Sequence, residues 1–417
     1  MAIGNNNNTV EAKFFEPVDE ILPKLQQYRK TPRYDDESFV KMGILRVLEN
    51  SKSGRAFLQE HLMRFEKDPG LMNYFRAFKS ERRSRVIQEV GKHVEEKAKS
   101  TLPNRLNGIP ELENYECFAA DGHWHQGAVH DAKNGDRKEA AGHVYSVDLK
   151  THAIQHLESS EGFHDHDMKM LKRAGLKTLR HGIKKGKRVI LIYDRGGIDF
   201  KFWARCRRSS AIYFISRPKG NMVYDVIDDR EFDKQDPKNN GIISDRQISQ
   251  KDEAKMRLIE YTAPRTGEVF QFITNEMSLS PGVIAELYHR RWEVEKVFDE
   301  LKNKLEEKKA WASGIEAKTA QARLCAITLN LLALYEMRVE CEHGVKNYLE
   351  EKRKLQRIRE EMKIAMENQR SMSSLLKQPK ASTQRSVKFI RWLRSCLRFG
   401  IEEARAIGQL RAYYAVF

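Results

Sequence analysis

No pair of cysteines in this 417-residue sequence has CxxC spacing. The five present, Cys117, Cys206, Cys325, Cys341 and Cys396, are scattered, which points to neither a disulfide framework nor a cysteine zinc site and fits a reducing interior. Long apolar runs are missing as well. The longest, LCAITLNLLALY at 324–335, is too short to span a bilayer and reads as a buried helix, so no membrane partner is expected. The opening MAIGNNNNTVEAK has no apolar stretch of the kind a secretory signal needs. RGGID, from residue 195, lacks the GxGxxG spacing of a nucleotide loop. Acidic residues are in deficit, 59 Asp and Glu against 75 Lys and Arg, for a formal charge of +16. Such an excess points to a polyanion partner, nucleic acid before an anionic membrane surface. The expectation is a soluble, cytoplasmic, DNA-associated protein.

What is there changes texture along the chain. Residues 1–106 read as a helical N-terminal domain. DDESFVKMGILRVLENS opens with acidic residues before an apolar periodic run, as helix starts do. SERRSRVIQEVGKHVEEKAKS is a basic helix, and Arg82, Arg83 and Arg85 on it are expected to bind DNA. TLPNRLNGIP (101–110) reads as the linker. From 113 to 335 the pattern is mixed. YECFAAD, GHVYSVDLK and HAIQHLESS are strand-like, and a helix follows from Asp165. KRVILIYD is a continuous apolar run of the kind found in a strand buried on both faces. A second helix and the strand AIYFISR come next. Three strands, helix, strand, helix, strand is the order of a ribonuclease-H-like α/β fold. Residues 218–280 read as a β-rich insertion, and 336–417 as a helical C-terminal region.

The segment YHRRWEVEKVFDELK, Tyr288–Lys302, has no Gly or Pro and reads as one helix. At about 100° per residue, Tyr288, Arg291, Glu295 and Lys302 share a stripe about 60° wide. Asp121 ends the first predicted strand and Asp194 the fourth, which brings their side chains close at one sheet edge. Three carboxylates there repel one another unless cations bind, and their hard oxygens suit Mg²⁺ or Mn²⁺. Two such ions clamp the attacking and leaving oxygens of a phosphodiester.

These residues make the sequence resemble a DDE transposase of the insertion sequence 4 family, whose signature is Y-x2-R-x3-E-x6-K. Tyr288, Arg291, Glu295 and Lys302 match it, and the AADG and YDRGG contexts of Asp121 and Asp194 look like the family's. The long interval from Asp194 to Glu295 resembles the family's β insertion. The resemblance covers roughly 115–335. It implies a bacterial mobile-element enzyme that uses two divalent ions, Mg²⁺ or Mn²⁺, held by Asp121, Asp194 and Glu295. Transposon-end DNA and target DNA would be the partners, and a homodimer would hold two ends together. Arg291 would meet a phosphate or orient Glu295, Lys302 would reach a phosphate, and Tyr288 would lie near the cleaved strand. Arg217 resembles a family arginine near the transposon end.

Hairpin-forming members stack a Trp of the insertion on a flipped base. This insertion has none. Phe270 is the nearest match, either as a stacking ring or, alternating with Phe272, as a core strand residue. DGHWHQGAVH and GFHDHD hold His123, His125, His130, His164 and His166. HxH spacing can chelate zinc, but without cysteine partners these read as surface or DNA-facing residues. Two other readings stay open: a non-catalytic regulator or inhibitor derived from a transposase, and a metal-dependent nuclease without strand joining.

Overall fold

The apolar run near residue 190 is an inner strand of a nine-stranded mixed sheet in the computed structural model. The structure describes residues 8–415 apart from 32–33, 50–52, 66, 132, 135–136, 139, 162–164, 166, 181–182, 195–197, 250–254, 306, 308, 379 and 381–383. Five helices come first: α1 (Val10–Ile21), α2 (Asp36–Leu48), α3 (Gly54–Glu60), α4 (Leu71–Ala77) and α5 (Glu81–Thr101). Strand β1 (Tyr115–His125) follows, then a short ribbon, β2 (Lys133–Asn134) and β3 (Arg137–Lys138), then β4 (Ala141–Asp148) and β5 (Ile154–Glu161). Next are α6 (Asp167–Leu179), β6 (Arg188–Ile192), α7 (Phe200–Ser210) and β7 (Ile212–Ser216). Four more strands are β8 (Asp225–Asp229), β9 (Ile242–Ser249), β10 (Met256–Thr262) and β11 (Val269–Thr274). Helices complete the chain: α8 (Pro281–His289), α9 (Trp292–Asp299), α10 (Ile315–His343), α11 (Tyr348–Glu367), α12 (Val387–Phe399) and α13 (Glu403–Ala415).

The strand order is β5-β4-β1-β6-β7-β11-β10-β9-β8. β1, β6 and β7 run parallel, while β4 and β5 form an antiparallel meander on β1. The fold is thus mixed α/β on one large sheet, and β8–β11 extend that sheet through β7 instead of forming a sheet of their own. β6 shows why its sequence is apolar throughout. Ile190 and Ile192 point into one core and Val189 and Leu191 into another, as the two-residue pleat requires. Helices α6 and α7 cover the second core through Met170, Leu171, Phe202 and Trp203.

The other face is covered by α10, whose 324–335 stretch is buried. Its buried polar side chains are satisfied: Thr328 donates to Leu324 O at 2.7 Å, and the Asn330 amide pairs with Ile154 N–H and C=O, both at 2.8 Å. Helices α1, α2, α5, α12 and α13 add side chains to this same apolar core. Helix starts follow local chemistry, with Asp35 accepting Ser38 N–H at 2.7 Å ahead of α2 and Asp199 accepting Phe202 N–H at 2.9 Å ahead of α7. A Cβ on Gly282, in α8, would collide with the Lys238 carbonyl. Glycine thus lets α8 lie against the loop before β9.

Two of the three α5 arginines expected to meet DNA are engaged within the protein. Arg82 forks onto the fully buried Asp36 at 2.6 and 2.7 Å, and Arg83 reaches the same carboxylate at 3.2 Å. Arg83 also lies over the Tyr34 and Phe39 rings. Both arginines are drawn inward because a carboxylate without solvent needs cationic partners. Arg85 is more exposed, with Glu81 at 3.7 Å.

Candidate active site

Asp121 does not end its strand. β1 continues to His125, because Asp121–His125 still pairs with β4. What stops near Asp121 is the parallel pairing with β6, whose last register is Ala119 with Ile192. Two residues further on, Asp121 and Asp194 stand level and on the same side. Asp194 lies just beyond β6 and is exposed.

Tyr288–Lys302 is not one continuous helix either. Between α8 and α9 the backbone tightens: Arg291 N–H bonds Tyr288 O, Glu293 N–H bonds Arg290 O and Val294 N–H bonds Arg291 O, all three residues apart. Beyond α9, Glu300–Lys304 opens into a π turn. Local propensity supports a helix throughout. The overwound turn instead seats the Arg291 guanidinium between two carboxylates, 2.7 Å from Glu295 Oε1 and 3.7 Å from Asp121 Oδ2. Tyr288, packed on Phe272, gives Asp194 Oδ1 a long hydrogen bond of 3.4 Å. Asp121, Asp194 and Glu295 are therefore brought together through Arg291 and Tyr288.

Electrostatics fix the protonation of the two linkers. Burial works against charge on Arg291, but Tyr288, Glu295 and Asp194 outweigh it and raise its pKa. Burial pushes the Tyr288 phenol up to about 12 despite Arg291, so it stays a proton donor at neutral pH. The carboxylate oxygens suit a divalent ion in chemistry. Their donor atoms do not converge as a ready ligand set, however. Among the described residues, the group whose donors all lie within 4.8 Å of one another is His123, His125 and Glu307. Arg291 is the counter-charge that an ion between Asp121 and Glu295 would replace.

A cleft of about 910 Å³ opens over this arrangement, and Asp194, Arg217, Phe270, Tyr288, Arg291 and Glu295 line it. Asp121 touches it through Arg291. Phe270 is half-buried, and the Arg217 guanidinium lies 4.8 Å above its ring. Lys302 is exposed on the π turn and does not line the cleft.

Sequence reasoning missed several lining residues. Trp292 is 56% exposed, beside Arg291. Lys354 and Arg357 come from α11, whose charge run reads as basic without showing where it folds back. Of the histidines, His123 and His125 are buried, at 2% and 1% exposure, and not at the surface. β1 is an inner strand, and its alternation turns both rings toward α9, where His123 stacks on Phe298. His130 is exposed, while His164 and His166 lie outside the described residues.

A family model described as "Transposase DDE domain" matches residues 115–331, the span from β1 into α10. The chain belongs to the DDE transposase family. A protein of Sinorhizobium fredii named "Putative transposase y4zB" is 25% identical over 169 residues, 36% of this chain and 47% of that protein. The chain thus spans about half the length of the curated relative it matches. The DDE domain contains both clusters described above, and no described helix is long and apolar enough to cross a membrane.

Proposed function

We propose that the chain is a metal-dependent DNA transposase of the insertion sequence 4 type. It binds the inverted ends of its own mobile element, cuts there, and joins the freed 3′ ends to target DNA. The observation that carries this reading is the meeting of Asp121, Asp194 and Glu295 through Arg291 and Tyr288 in a cleft with basic walls. Asp121, Asp194 and Glu295 would hold Mg²⁺ or Mn²⁺, two ions in the working site, and these would supply activation of water and stabilisation of charge on the phosphodiester oxygens.

The chain's own residues bind and orient. Arg291 keeps Asp121 and Glu295 from repelling each other, and its fork suits a phosphate. Tyr288 keeps its proton and donates to oxygens near the cleaved strand. Lys302, Lys354 and Arg357 attract backbone phosphates. Trp292 and Phe270 offer aromatic faces to an extruded base. Residues 113–335 form the catalytic region, with 1–106 and 336–417 as helical flanks. Two DNA ends require two copies, so the working form is a DNA-bound homodimer in the bacterial cytoplasm.

The test uses the inverted repeats flanking the coding gene as end DNA, with a target plasmid and Mg²⁺ or Mn²⁺. Cation-dependent cutting at the end and a joined product are expected. Specific binding without cutting would instead make the chain a regulator or inhibitor. Cutting without joining of a pre-cut end would make it a nuclease.

A further inference from the structure

Asp121, His123 and His125 sit at alternate positions of β1 and so share one face of the strand. Only Asp121 meets the cleft side chains. The two histidines run on beneath α9 to Glu307, which is fully buried. Glu307 Oε2 lies 2.9 Å from His125 Nε2 and 3.6 Å from His123 Nε2. These approaches lack the alignment of hydrogen bonds. Among the described residues, both ring nitrogens of each histidine and Glu307 Oε2 are buried with no hydrogen-bond partner. An unpartnered buried polar atom costs on the order of 1–3 kcal/mol, and one nitrogen from each imidazole together with Glu307 Oε2 makes three donors within 4.8 Å of one another, close enough for a single ion to bind all three.

The far oxygen of the carboxylate is already fixed. Gln321 donates its amide N–H to Glu307 Oε1 and to Lys309 O, while its own oxygen accepts Trp311 N–H at 2.8 Å. A held carboxylate turning its other oxygen toward two imidazoles resembles an oriented ligand with an outer-shell partner. His143 stands beside the three, its ring centroid 4.5 Å from that of His125 and its Nε2 also unpartnered.

We propose that His123, His125 and Glu307 form a structural transition-metal site, best matched to Zn²⁺, that clamps β1 to the chain beyond α9. Two imidazoles and one carboxylate suit zinc, and His143 is the candidate for a fourth position. Burial makes the site a clamp and leaves no approach for a substrate. It is separate from the cleft carboxylates, whose hard oxygens favour Mg²⁺ or Mn²⁺. The clamp would bracket α9 from below, holding Glu295 over Asp121. It does not depend on the transposase reading.

The experiment measures metal in the full chain, purified from zinc-supplemented medium and desalted, by elemental analysis. The expected result is a single equivalent of zinc, retained by the Asp121→Asn/Asp194→Asn/Glu295→Gln variant and lost in His125→Gln and in Glu307→Gln. Should those last variants fail to fold, the parent chain decides. Stripping with chelator should lower its melting temperature, and Zn²⁺ but not Mg²⁺ should restore it. Cobalt(II) added to the stripped chain should show the visible absorption of a four-coordinate ion. The proposal is overturned if the parent holds no zinc and Zn²⁺ leaves its melting temperature unchanged. It is equally overturned if zinc disappears with the cleft carboxylates and survives Glu307→Gln.

Discussion

Arg82 in the N-terminal helices and Arg291 in the cleft both meet carboxylates, yet they sit in opposite circumstances. Arg82 and Arg83 converge on Asp36, which has no solvent contact, and Arg257 forks onto Asp245 at 2.7 and 2.5 Å with both side chains nearly fully buried. Those cations complete the scaffold. Arg291 instead spans two partly exposed carboxylates at a cleft mouth, where Asp194 and Glu295 still face solvent. A charged pair closed off from water fixes structure, whereas one open to it can exchange partners. The density of arginines in a sequence does not separate the two cases. The burial of their carboxylates does.

Charge changes should therefore fail differently in the two regions. The largest effect is expected at the cleft. Glu295→Gln should lower end cleavage at least about a thousand-fold, as loss of several kcal/mol of charge stabilisation implies. Melting temperature and end binding should stay near parental. Parental cleavage by this variant would end the comparison. Asp245→Ala leaves Arg257 buried without a counter-charge and should cost about 3–5 kcal/mol in denaturant unfolding. Asp36→Ala should cost less, because Arg82 retains some solvent. A loss below about 1 kcal/mol at Asp245 would place that pair with exposed bridges.

Smaller effects sharpen the boundary. Lys302→Ala should reduce the salt dependence of end binding by about one phosphate contact without changing stability. Lys354→Ala/Arg357→Ala should reduce it more. Gel-shift titrations across salt concentrations measure both, and an unchanged slope would detach Lys302 from DNA. The smallest effect concerns His152, a buried imidazole outside both regions. Burial, then Arg105, Arg385 and Arg290, hold its pKa well below the ordinary value. The unfolded chain then binds a proton that the folded chain refuses. Stability from His152 is full above about pH 6.5 and is lost as pH falls below it. Asn tolerates the φ of 63° found here, so His152→Asn should flatten the fall in melting temperature below that pH. A parental slope would remove His152 from the account.

The parts of this structure that could be read in advance are those where residue type and period agree. KRVILIYD contains a strand because its alternate residues fill two cores. Tyr288, Arg291 and Glu295 share a neighbourhood because three- and four-residue steps keep side chains on one side even across a tightened turn. The break itself was hidden, since helix propensity is local and the carboxylate that helps seat Arg291 comes from a strand far back in sequence. Arg82 and Arg83 looked like DNA-binding arginines of a basic helix because Asp36 looked like an ordinary helix-start acid. Glu307 was invisible for a similar reason. Nothing in EEKK marks it for burial, and the turn before it, where Glu307 N–H bonds Leu301 O, carries it inward.

That π turn also governs which changes in length the chain can absorb. Leu305 N–H bonds Glu300 O, five residues back, so Glu300–Lys304 carries a residue more than α pitch requires. Adding a further residue there would swing the following chain by about 100°. Glu307 would leave the histidines, while Tyr288, Arg291 and Glu295, all upstream, would keep their places. The turn thus acts as a frame marker: a change in length at or beyond it spares the cleft and takes Glu307 away from the histidines.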